Sequence, residues 1–197
     1  MELASILLLL SCATPLVHGF YTMRTHAPDH ASIHGLVINA RERSFIIGAA
    51  NPTTYCGISD ASQCPPGTET LINKNMTYLG SATPGGQVIF TSPNGEISYT
   101  LPGSSRMTEG AVAGGFVTSR IMRDNTTVEI LTYQTHAMGS GLWACRRSDE
   151  CRAAEDGQGV EWVLTASAPC FTPIGCVALS GVELVEAGDK YGAWAYT

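Results

Sequence analysis

The sequence predicts an all-β protein: a compact antiparallel β-sandwich or barrel of about a dozen short strands stapled by disulfides, with a β-trefoil as the alternative. Three observations carry that expectation. Short runs rich in β-branched and aromatic residues alternate with period two and are bounded by Gly, Pro, Asn or Asp. Helical periodicity is nearly absent. Six cysteines remain once an apolar leader is set aside, an even number that reads as a disulfide framework in an exported chain.

The leader is residues 1–19. "LASILLLLSCA" is apolar but too short to span a bilayer, and "VHG" ending at Gly19 places small residues before a cleavage point. A lipoprotein signal ending at Cys12 is the alternative, weakened by the missing basic residues at the start. Residues 20–197 are then expected to form one secreted domain, long enough for a sizeable core, with no further apolar span.

Along that domain the strand-like runs are, in order, "FYTMRT", "SIHGLVINA", "SFIIGA", "ETLIN", "QVIFTS", "EISYTL", "GGFVTSRIM", "TVEILTY", "GLWACR", "VEWVLTAS", "CVALSGVEL" and "YGAWAYT". The stretch "SRMTEG" is read as a helical turn, and residues 146–159 as the most exposed loop. No threefold repeat promotes the trefoil. The clearest hairpin is "PGGQVIFTSPNGEISYT", residues 84–100, in which Asn94 and Gly95 suit a two-residue type I′ turn. That turn sets Ser92 opposite Ile97, Phe90 opposite Tyr99 and Val88 opposite Leu101, so that Val88, Phe90, Ile97, Tyr99 and Leu101 share the core face and Ile89 is the exception on the polar side.

Charge excludes one class of partner. Charged residues are 14% of the chain against a usual ~25%, the formal net charge is −6, and lysine occurs only at Lys74 and Lys190. Such a chain has no basic stripe for a phosphate backbone, so no nucleic-acid partner is expected.

Cys56 and Cys64 flank a short polar loop and most simply close it, which contributes roughly 2 to 3 kcal/mol on the chain-entropy model. For the other four, the pairs Cys145 with Cys176 and Cys151 with Cys170 have residue numbers that add to the same total, the condition for residues facing one another across two antiparallel segments. The alternative is two local loops, Cys145 with Cys151 and Cys170 with Cys176. No CxxC or suitably spaced histidine supports a zinc site.

Asn75 and Asn125 begin glycosylation sequons and are expected at exposed turns. His26, His30 and His34 recur every four residues, but Pro28 breaks a shared helix, so they read as turn and strand residues and no metal is expected. His136 is isolated, with no nucleophile motif near it. Glu129 and Glu161 lie in strand-like runs and are the carboxylates that a glycoside hydrolase would use. Trp143, Trp162 and Trp194, in alternating runs, are expected in the core more than on a sugar-stacking surface.

The ordered series "SIHGLVINA", "SFIIG", "TTYC" to "CPPGTET", "TPGGQVIFTSPNGEISYT", "GLWAC", "EWVLTA", "CVAL" and "GAWAYT" resembles small secreted proteins of filamentous fungi known as IgE-binding-protein-like, related to the cell-wall protein PhiA. The resemblance covers nearly the whole mature chain. It implies that Cys56, Cys64, Cys145 and Cys176 belong to a common pattern with Cys151 and Cys170 an added pair. Gly57 and Arg146 depart from that pattern, which has proline after the cysteine. The function it implies is a non-catalytic protein of the cell surface, wall or medium, with no cofactor. A carbohydrate-binding module, expected to show coplanar exposed aromatics, and a host-facing effector are the alternatives; a glycoside hydrolase would need a cleft with two convergent carboxylates.

Overall fold

The computed structural model describes residues 19–134, 140–147 and 161–197. Nearly every alternating run becomes a strand, giving β1 (Phe20–His26), β2 (Ile38–Arg41), β3 (Ser44–Ile47), β4 (Thr54–Tyr55), β5 (Ile72–Asn73), β6 (Ile89–Thr91), β7 (Ile97–Tyr99), β8 (Val112–Ala113), β9 (Phe116–Arg123), β10 (Thr126–Tyr133), β11 (Leu142–Arg146), β12 (Trp162–Ala166), β13 (Val177–Leu179), β14 (Gly181–Gly188) and β15 (Ala195–Tyr196). The protein is all-β. Among the described residues the one helical segment is a 3₁₀ turn, Ala61–Gln63, capped by Asp60 inside the Cys56 to Cys64 loop. "SRMTEG" is not helical.

Two antiparallel sheets enclose the core. One has the order β5-β1-β14-β10-β9; the other runs β13-β11-β12-β3-β7-β6-β8, with β2 added on β3; β15 and β4 form a small third pair. Met23, Leu131, Val182 and Leu184 from the first sheet join Phe45, Ile89, Ile97, Tyr99, Ala144 and Leu164 from the second in one buried cluster. Two sheets face to face, without threefold repetition, set aside the trefoil. The first sheet curls until Thr118 on edge strand β9 donates its hydroxyl to the carbonyl of Lys74, just past the opposite edge strand β5, at 3.1 Å.

The 84–100 hairpin forms with a different register. Its connection is a three-residue loop, Pro93, Asn94 and Gly95: the Gly95 N–H donates to the Ser92 carbonyl at 2.8 Å, and Ser92 N–H to Glu96 at 2.9 Å. Pro93 suits the first central position of a type I turn, and Gly95, with φ of 88°, supplies the left-handed residue that closes it. Gly95 also lies against β12, where a Cβ would meet the Ala166 carbonyl at 2.5 Å. Ile89 therefore faces Tyr99, Phe90 faces Ser98 and Thr91 faces Ile97. The slip brings Ile89 into the core with Ile97 and Tyr99, and Leu101 is left 54% exposed. Tyr99 meets Phe45 edge-on at 5.6 Å instead of Phe90.

The glutamine near the start of the hairpin has a structural role. Gln87 is fully buried; its amide donates to the carbonyls of Thr100 and Tyr196 at 2.9 Å each and accepts the Tyr196 N–H at 2.8 Å. Tyr196 in turn donates its hydroxyl to the Glu69 carbonyl and accepts the Leu71 N–H. Tyr99 donates to the carbonyl of Thr197. The closing "GAWAYT" is thus fastened by side chains from distant strands.

Candidate functional site

Two long ribbons build the first sheet. β1 and β14 pair from Phe20 with Gly188 to His26 with Gly181, and β9 and β10 pair from Arg123 with Thr126 to Phe116 with Tyr133. Between the ribbons, β10 and β14 are in register only from Glu129 with Leu184 to Leu131 with Val182. Beyond Glu129 they part, and a cleft of about 660 Å³ opens there. Its lining includes Tyr21 from β1, Lys74 after β5, Arg120 and Arg123 from β9, Thr126, Thr127 and Glu129 from β10, and Glu183 and Glu186 from β14. By strand alternation Tyr21, Arg120, Thr127 and Glu129 continue the core face past its end, while Arg123 and Glu183 belong to the outer face.

Ion pairs fix these side chains. Glu129 Oε1 accepts from Lys74 Nζ at 2.7 Å and Arg120 Nε at 3.2 Å. Glu183 holds Arg123 by two parallel bonds of 2.7 and 2.9 Å, and Lys74 Nζ lies 5.9 Å from the Tyr21 ring centre. The Lys74 hydrogen bond holds the Glu129 carboxyl below its usual range, and the Arg123 bonds do the same for Glu183. Glu129 Oε2 is buried and has no hydrogen-bond partner.

The two carboxylates expected to be hydrolase candidates lie on different sheets. Glu129 is in the cleft, whereas Glu161, immediately before β12, takes part in a separate network in which it meets Arg41 at 3.6 Å and Arg147 at 3.1 Å, with Arg147 also on Glu42. Glu129 shares its cleft with Glu183, which sequence reasoning did not single out. Nor did it single out Lys74, Arg120, Arg123 or Tyr21. The available signal was the placement of charges inside "GGFVTSRIM" and "CVALSGVEL" in a chain so poor in charge.

The tryptophans differ from expectation, being half-buried. Trp162 packs against the core and under the Arg146 guanidinium, 5.3 Å from the ring centre. Trp143 rests beside Phe171 and donates to Ser167. Trp194 lies over Gly57, where a Cβ would come within 2.8 Å of the indole. Gly57 and Arg146 therefore each serve a tryptophan: absence of a side chain at 57, a stacked cation at 146. Among the described residues, exposed Tyr55 meets half-buried Trp194 at 85°, and exposed Tyr191 meets half-buried Phe20 at 44°, so neither pair is coplanar.

His26 and His34 meet edge-on at 5.5 Å; His34 Nδ1 accepts the Ala27 N–H, and His30 sits in the intervening turn. Burial, then the neighbouring His34, pushes His26 down from its ordinary value. No set of three His, Cys, Asp or Glu side chains among the described residues is arranged to hold a metal. His136 lies outside the described residues.

Disulfides join Cys56 to Cys64 and Cys145 to Cys176. Cys145 and Cys176 each adjoin the antiparallel β11–β13 pairing, in which Ala144 faces Val177. Cys170 is an exposed free cysteine whose N–H donates to the Pro93 carbonyl; Cys151, its expected partner, lies outside the described residues. Asn75 and Asn125 both stand at exposed turns. Residues 1–18, nearly all of the expected leader, lie outside the described residues, and among those described no helix is long and apolar enough to cross a membrane.

No family model matches the chain, and no solved structure matches it. It is similar to a protein of the fungus Arthroderma benhamiae named "Uncharacterized secreted protein", with 26% identity over 172 residues that cover 86% of this chain and 82% of that one.

Proposed function

We propose that this chain is an exported fungal protein that acts without catalysis at the cell surface, in the wall or in the surrounding medium, as the IgE-binding-protein-like and PhiA resemblance implies. The observation that carries the non-catalytic reading is the state of the cleft carboxylates. A glycosidase needs one carboxyl kept protonated near neutral pH to protonate the leaving oxygen. Glu129 and Glu183, two of the three carboxylates that line the cleft, are both pushed below the usual carboxylate range, the first by Lys74 and Arg120 and the second by Arg123. Export is supported by the secreted relative and by the disulfides, which persist in oxidising compartments.

The reading is tested by expressing the full chain in a filamentous fungus and following it into cytosol, wall and medium, then incubating the purified protein with wall polysaccharide. Recovery from wall or medium with no release of reducing ends is the expected result. Retention in the cytosol overturns export; reducing ends produced by the intact protein and lost in Glu129→Gln or Glu183→Gln overturn the non-catalytic role.

A further inference from the structure

We propose that the cleft between the diverging strands β10 and β14 binds a neutral saccharide. The proposal rests on the non-catalytic reading above and adds a ligand class to it. A cleft of about 660 Å³ falls within the size range of small-ligand sites. Its charge selects the ligand: Lys74, Arg120 and Arg123 are matched by Glu129, Glu183 and Glu186, three cations against three anions, so neither a phosphate chain nor a polycation gains net attraction.

What remains is a dense array of fixed hydrogen-bonding groups. Arg120 uses its Nε on Glu129 and has a 72% exposed side chain, leaving further guanidinium N–H donors at the cleft. Thr126 and Thr127 are exposed residues of β10 that also line the cleft. Glu129 is fixed at the cleft through Oε1 by Lys74 and Arg120, while its Oε2 is buried. Tyr21 adds an aromatic surface for the C–H face of a pyranose. Hydroxyls as donors, hydroxyl and ring oxygens as acceptors, and one apolar ring face together describe a sugar. An extended peptide would instead use the parted strand edges, and it would leave the paired charges without a role.

The test is calorimetric titration of the full mature chain with three neutral hexasaccharides: β-1,3-linked glucose, β-1,4-linked N-acetylglucosamine and α-1,6-linked mannose. At least one is expected to bind at a single site, with affinity little changed between 0.05 and 0.5 M salt. Tyr21→Ala and Glu129→Gln, each first shown to unfold at a temperature near that of the parent, are expected to weaken it at least tenfold. Tyr55→Ala, outside the cleft, is expected to leave it unchanged. No binding of any of the three, an affinity indifferent to both cleft substitutions, or competition by polyphosphate or by an extended peptide would overturn the proposal. Shortening of a bound hexasaccharide overturns the non-catalytic reading and leaves the binding site standing; absence of binding with the sugars intact does the reverse.

Discussion

Gln87 shows how one buried polar side chain fastens a chain terminus. Its three hydrogen bonds satisfy the Tyr196 N–H and the carbonyls of Thr100 and Tyr196, all in the interior. Replacing it with Leu keeps similar bulk but leaves those backbone groups unpaired, and an unsatisfied buried group costs about 1 to 3 kcal/mol. Gln87→Leu is expected to lower stability by about 3 kcal/mol, read as a shifted urea midpoint; a loss below about 0.5 kcal/mol would refute the clamp. Nothing in the sequence marked Gln87 as this clamp, because its bonds to Tyr196 span 109 residues and no local pattern encodes them. Gly57 is similar: the glycine was visible, but its reason, the Trp194 ring lying over it, required the fold.

At the scale of elements, strand existence was readable and register was not. Alternation identified the runs around residues 84–100, yet two loop lengths both fit "SPNGE", and choosing between them inverted the faces of Ile89 and Phe90. Docking of the loop on β12, with Gly95 accepting the Ala166 N–H, favours the three-residue form. The β2–β3 hairpin is the converse case, a two-residue turn without glycine: Glu42 and Arg43 adopt φ of 49° and 62°. Arg43 has an exposed side chain, and its turn contacts come from its backbone, whose N–H donates to Tyr99 and whose carbonyl accepts from Ser98. Removing the left-handed strain outweighs the added flexibility of glycine in the unfolded chain, so Arg43→Gly is expected to stabilise by about 0.5 to 1 kcal/mol in thermal unfolding. A lower melting temperature would show that the side chain holds the turn.

For the whole molecule, the ionisable groups of the first sheet set the response to acid. His26 is held below 6.5 by burial and by His34 and Arg123, opposed by Glu183, so the unfolded chain takes up its proton first. Stability therefore begins to fall as pH drops through about 6.5. Glu129 and Glu183 have folded values below the ordinary 4.5; the stability they contribute is complete above that value and is lost as pH falls through the depressed ones. Urea midpoints across pH 8 to 2 are expected to decline in two stages, the first absent in His26→Gln and the second reduced in Glu129→Gln with Glu183→Gln. A single-stage decline unaffected by these changes would contradict the assignment.

The sequence alone determined the all-β class and the run-by-run positions of most strands, because period-two alternation is a property a linear pattern can carry, and it offered the Cys145 to Cys176 pairing beside a local alternative that only the structure removed. It placed Glu129 among the candidates for the same reason, as a charge in a strand. Only the tertiary structure decided that Glu129 keeps company with Glu183 and not Glu161, and that a cleft exists at all. Both follow from where two twisted ribbons stop pairing and how far their sheet curls, which depend on contacts between strands far apart in the chain.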